Sequence, residues 1–148
     1  MVKGYGEGGS QGRILVVDPD DWCREFLSQV IKLLGFPGFR LATTVDEAFA
    51  ILEEISFDLL ITDLNLVEFQ RLLENCHRRF PSMRFILMAH RRTPFQPWAF
   101  QDRMEIVLKP LSLDEMTRKI REAVHYTHRI QVEEAFRRWK QEAFRLLG

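Results

Sequence analysis

The chain has 148 residues, one domain's worth, with 21 Lys plus Arg against 21 Asp plus Glu. A formal net charge of zero argues against a chain built mainly to grip nucleic acid, whose domains carry a basic excess. The 46% hydrophobic fraction suffices for a packed core, and no apolar run nears the roughly 18 residues that a membrane span needs. The amino terminus lacks an apolar stretch followed by a cleavage site, so no secretory signal is expected. Cys23 and Cys76 fall on apolar faces of predicted helices, which reads as reduced core thiols in a cytoplasmic protein. No Cys/His spacing suits zinc.

Five of the eight glycines fall between Gly4 and Gly12, which predicts a disordered leader over 1–12. Ile14-Leu15-Val16-Val17 is then a short continuous apolar run, as in a strand buried on both faces. Trp22, Cys23, Phe26, Leu27, Val30, Ile31 and Leu34 follow at helical spacing, with Asp20 as N-cap and Gly35 as stop. A weaker strand, Phe39 to Ala42, precedes the capping box Thr44-x-x-Glu47 and a helix bearing Ala48, Phe49, Leu52 and Ile55. Leu59-Leu60-Ile61 is the third strand, and Phe69, Leu72, Leu73, Cys76 and Phe80 form the next helical stripe. After the strand Phe85 to Met88, Pro94 and Pro97 leave room only for a short or irregular helix around Trp98 to Arg103. The strand Ile106 to Leu108 and the capping box Ser112-x-x-Glu115 open the last stretch, with Met116, Ile120, Ala123 and Val124 inward. The apolar pattern falters at Tyr126-Thr127-His128 and resumes at Val132, Phe136, Trp139, Ala143 and Leu146.

This alternation predicts an α/β domain, a doubly wound five-stranded parallel sheet of flavodoxin-like order 2-1-3-4-5, with an extra C-terminal amphipathic helix. The expected division is 1–12 leader, 13–128 folded domain and 129–148 amphipathic helix. In such sheets the ligand site lies at the carboxyl ends of the strands. Asp18 ends the first strand and Asp63 the third, so their carboxylates should face one crevice, with Asp20 and Asp21 in the first turn. Lys109 ends the fifth strand and is long enough to reach across. Clustered carboxylates suit a hard cation such as Mg²⁺. Neither G-x-G-x-x-G nor G-x-x-x-x-G-K-[ST] is present, and an acidic first turn repels phosphate, which argues against dinucleotide, P-loop and flavin mononucleotide sites.

Three blocks carry a resemblance: Ile14-Leu15-Val16-Val17-Asp18, Phe57-Asp58-Leu59-Leu60-Ile61-Thr62-Asp63 and Val107-Leu108-Lys109-Pro110. With their spacing, the chain resembles the receiver domain of two-component response regulators over about Arg13 to Tyr126. The resemblance implies a non-enzymatic phosphorelay module, with Asp63 accepting a phosphoryl group from a histidine kinase. It implies Mg²⁺ held by Asp63, an acid after the first strand and the backbone carbonyl of Asn65, and Lys109 pairing with the phosphoryl group. It also implies a cis Lys109-Pro110 bond.

The chain departs from that pattern. Pro19 replaces the second of two adjacent acids, and Asp20 comes one position late. The hydroxyl position at the end of the fourth strand reads as Met88, and the switch aromatic three residues before the lysine reads as Ile106. The loop after Asp63 has neither the usual proline nor glycine. These losses predict a pseudo-receiver acting through protein–protein contacts, with weak Mg²⁺ binding at most. The alternative is a receiver still phosphorylated on Asp63. A minor alternative is a haloacid-dehalogenase-like phosphatase using Asp18-x-Asp20. The candidate interface residues are Trp98, Phe136 and Trp139. The expected partners are a histidine kinase or another signalling protein and a second copy of the chain, with no nucleic acid and no membrane.

Overall fold

The computed structural model describes residues 12–90 and 103–147. The elements are β1 (Ile14–Val17), α1 (Asp21–Leu33), β2 (Phe39–Ala42), α2 (Val45–Glu54), β3 (Leu59–Asp63), α3 (Phe69–Arg79), β4 (Arg84–Ala89), β5 (Met104–Leu108) and α4 (Leu113–Leu147). All strands pair in parallel in one sheet of order β2-β1-β3-β4-β5. Residues 1–11 of the predicted leader (1–12), and Pro94, Pro97 and Trp98 of the irregular segment, lie outside the described residues.

Alternation along the strands divides the core into two halves. Ile14, Val16, Leu59, Ile61, Ile86, Met88 and Val107 turn toward α1 and the first third of α4, where Leu27, Ile31, Met116 and Ile120 meet them. Leu15, Val17, Leu60, Phe85, Leu87 and Ala89 turn toward α2 and α3. Strands buried on both faces explain why they read as unbroken apolar runs.

The helix starts follow their predicted chemistry. Asp20 caps α1 by accepting from Trp22 N, and Gly35 follows its end at φ 85. Thr44 Oγ1 accepts from Glu47 N at 3.1 Å, and Glu47 reaches back to Thr43 N at 2.6 Å. Ser112 Oγ accepts from Glu115 N at 3.2 Å at the start of α4. Gly12 is packed and not part of a loose leader: its φ is +80, and a Cβ there would lie 2.5 Å from Phe36 Cδ1.

The end of α3 is held by a residue that the sequence did not single out. Arg103, just before β5, donates through Nη1 to Phe80 O at 2.9 Å and Met83 O at 3.0 Å, and through Nη2 to His77 O at 3.1 Å. It also bonds Pro81 O and lies over the Phe85 ring. One guanidinium thus gathers carbonyls from the last turn of α3 and the turn to β4, where a cation is favoured.

The expected interruption at Tyr126-Thr127-His128 does not occur. α4 runs unbroken for 35 residues. Its sequence contains neither proline nor glycine, and a few weak helix formers cost only about 0.5 kcal/mol each. The faltering pattern marks a change of apolar face, not an end of helix. Phe136 and Trp139 are 58% and 63% exposed, so this helix does not fold its stripe onto its own core.

Candidate functional site

The carboxyl ends of β1, β3 and β5 bring Asp18, Asp63 and Lys109 together. Lys109 Nζ lies 2.9 Å from Asp18 Oδ2 and 2.6 Å from Asp63 Oδ2. Both carboxylates are buried, with side-chain exposures of 1% for Asp18 and 7% for Asp63. Each gives its other oxygen to the backbone two residues on. Asp20 N donates to Asp18 Oδ1 at 2.8 Å, and Asn65 N to Asp63 Oδ1 at 2.6 Å. These are Asx turns, which fix the two loops as well as the two charges. Lys109-Pro110 is cis, as expected. Arg24 adds a clamp that the sequence did not suggest: its Nη1 donates to Asp18 O at 2.7 Å, and its Nη2 pairs with Asp21.

Burial pulls the Lys109 pKa down, but the hydrogen bonds that Lys109 donates to Asp63 and Asp18 outweigh it and raise it above the ordinary lysine value. Both Cys23 and Cys76 are free and buried. Burial and then the Asp18 hydrogen bond push the Cys23 thiol up to about 12. Burial pushes Cys76 to about 12 as well. Neither is a nucleophilic thiolate at neutral pH. A cavity of about 300 Å³ opens beside the triad, lined by Asp20, Trp22, Cys23, His90, Lys109, Pro110 and Leu111.

Asp20 lines this cavity but is not bonded to Lys109. Its Oδ1 accepts from Trp22 N at 3.1 Å at the start of α1. Mg²⁺ asks for near-octahedral oxygen donors. Here the two inner carboxylates are each engaged by the Lys109 ammonium and a backbone N–H. Among the described residues no group of three or more His, Cys, Asp or Glu side chains converges. The side chains present do not fit a resident Mg²⁺.

Met88 and Ile106 do not pack together. Met88 pairs in register with Val107, and Ile106 with Leu87, so the two side chains leave opposite faces of the sheet. Met88 is fully buried, its Sδ 3.6 Å from Cys23 Sγ under the carboxylate pocket. Ile106 is 36% exposed on the side of α2 and α3. The residue that shares its face at the end of β4 is Ala89. The error is one of register, since strand end and parity cannot be separated in the run Ile86-Leu87-Met88-Ala89. Neither Met88 nor Ala89 has a hydroxyl. Met88→Thr should lower stability by about 1–3 kcal/mol, through lost apolar contacts and an inserted hydroxyl. Urea denaturation checks this, and an unchanged midpoint would place Met88 in a more forgiving site.

The loop after Asp63 reaches α3 without glycine, yet it adopts a left-handed residue. Glu68, the N-cap of α3, has φ 66 and ψ 26, with no side-chain cap hydrogen bond. An L-residue there costs about 1–2 kcal/mol, against about 0.5–1 kcal/mol for the extra unfolded-state freedom of glycine. Glu68→Gly should therefore stabilise the protein, by less than about 1 kcal/mol once the exposed Glu68–Arg71 ion pair is lost. A lower melting temperature for the variant would contradict this.

The fold is that of receiver domains. A response regulator receiver domain protein (CheY-like) from Methanospirillum hungatei JF-1 is 23% identical, with TM-score 0.68, 81% of this chain covered and 98% of that chain. A two component transcriptional regulator AraC from Clostridium phytofermentans ISDg is 21% identical, with TM-score 0.69 and coverages of 82% and 98%. The signal receiver domain of an HD domain-containing protein from Pseudomonas fluorescens Pf-5 is 20% identical, with TM-score 0.67 and coverages of 84% and 95%. No protein-family model matches the chain, and no curated protein matches it in sequence.

Proposed function

We propose that this chain is a two-component signalling module of receiver fold that works through protein–protein contacts and not through a phosphoryl-driven switch. One observation carries the reading: the end of β4 beside the pocket is apolar, with Met88 buried and Ala89 on the face of Ile106, so no hydroxyl stands there to follow a phosphoryl group. Lys109, 2.9 and 2.6 Å from Asp18 and Asp63, pairs with both carboxylates as it would in an empty acceptor site under either reading. Such a module has no reaction of its own. Its partners are a histidine kinase or another signalling protein, and a second copy of the chain.

A second reading has its own support. Asp63 keeps 7% side-chain exposure near a cavity, and Lys109 stands where a phosphoryl group would need a cation. In that reading Asp63 takes a phosphoryl group from a histidine kinase. A beryllofluoride titration with Mg²⁺, followed by the backbone amide signals of Asn65, Ala89 and Lys109, separates the two. The proposal expects no saturable shifts. Saturable shifts that vanish in Asp63→Asn would establish the second reading instead.

A further inference from the structure

α4 carries two apolar stripes on different sides. Met116, Ile120, Ala123 and Val124 are buried against the sheet and α1. Val132, Phe136, Trp139, Ala143 and Leu146 then recur at spacings of four and three, a heptad seam. At 100° per residue the second stripe is rotated by roughly 140° from the first. In one unbroken helix it must point away from its own core. The exposures agree: 52% for Val132, 58% for Phe136, 63% for Trp139 and 77% for Leu146. Beyond Tyr126 the helix continues for about 30 Å.

We infer that this seam pairs with the same seam of a second copy, in antiparallel orientation. The flanking charges match only that way. With Phe136 level with the partner's Trp139, Val132 falls level with the partner's Ala143, large against small, and Leu146 with the partner's Arg129, whose aliphatic stem can cover it while the charge stays in water. Flanking positions of the same kind then meet across an antiparallel pair, so Glu133 faces the partner's Lys140 and Lys140 faces the partner's Glu133. In a parallel pair Lys140 would meet the partner's Ala135, and Glu142 the partner's Leu147, with no charge matched at either place. Phe136 and Trp139 already stack within one chain, ring centroids 5.7 Å apart, which presents a broad aromatic surface to the partner. The antiparallel pair holds two receiver-fold cores at opposite ends of a short coiled coil. The inference deepens the proposed function, on whose second copy it rests, and holds whether or not Asp63 accepts a phosphoryl group.

Charge reversal in the full chain tests it by sedimentation equilibrium at low ionic strength. The native chain should show a monomer–dimer equilibrium. Glu133→Lys or Lys140→Glu turns two attractive pairs repulsive and should weaken the dimer about tenfold. The double reversal should return to within about threefold of native. Both positions are exposed, so circular dichroism should be unchanged. A native chain monomeric at all concentrations overturns the inference, including the case in which a different protein covers the stripe. A double reversal as weak as the single ones overturns the antiparallel pairing.

Discussion

Replacing Lys109 with methionine is expected to remove about 3–5 kcal/mol of stability, the usual cost of stripping the partner from buried charges. Asp18 and Asp63 would remain almost inaccessible to water, with no cation between them. Their Asx-turn hydrogen bonds stabilise one oxygen each and leave the others unpaired. The pH dependence has a definite sign. In the native chain Lys109 has its pKa raised above the ordinary 10.5, with burial opposing and the Asp63 and Asp18 hydrogen bonds prevailing. Its contribution is therefore complete below pH 10.5 and lost only as pH climbs through the raised folded value. In Lys109→Met this loss at high pH should be absent. Adding Asp63→Asn should recover part of the lost stability, which a packing defect would not allow. Urea denaturation near neutral pH and above pH 10.5 checks these outcomes. A loss below about 1 kcal/mol would mean that the triad is far more hydrated than its burial indicates.

The second large effect lies away from the pocket. Arg103→Ala should cost about 2–4 kcal/mol, because carbonyls of His77, Phe80 and Met83 lose a charged donor together. Arg103→Lys should not restore it, since an ammonium lacks the planar fork that spans two nitrogens' worth of acceptors. Hydrogen exchange should show the loosening first in the last turn of α3 and the turn to β4. Protection lost evenly over the whole chain would contradict a local clamp.

The fold was legible in the sequence where local and global signals agree. The five apolar runs, the capping residues Thr44 and Ser112 and the stop at Gly35 each point to the same α/β order. The pocket was legible for a related reason, since strand ends are where chain direction concentrates side chains, and Asp18, Asp63 and Lys109 all stand there. What was hidden depended on distance in sequence or on parity. Asp20 reads both as a pocket acid and as a helix cap, and the structure shows the cap, because a helix start has open N–H groups close by. Met88 and Ala89 are both apolar, so no alternation marks which of them shares the face of Ile106. Arg103 makes its contacts some twenty residues away, to backbone atoms that carry no sequence signature. The left-handed Glu68 was hidden because no glycine marks it. In α4 the apolar pattern changed face, which looks like a break when only periodicity is read.

In the proposed function the Asp18–Lys109–Asp63 arrangement serves as a fixed structural triad and not as a phosphoryl acceptor. Intact-mass spectrometry of the full chain after incubation with acetyl phosphate and Mg²⁺ tests it most directly, with Asp63→Asn run in parallel. The account predicts one unmodified mass in both samples. A stable species one phosphoryl group heavier in the native chain, absent from Asp63→Asn, would contradict it.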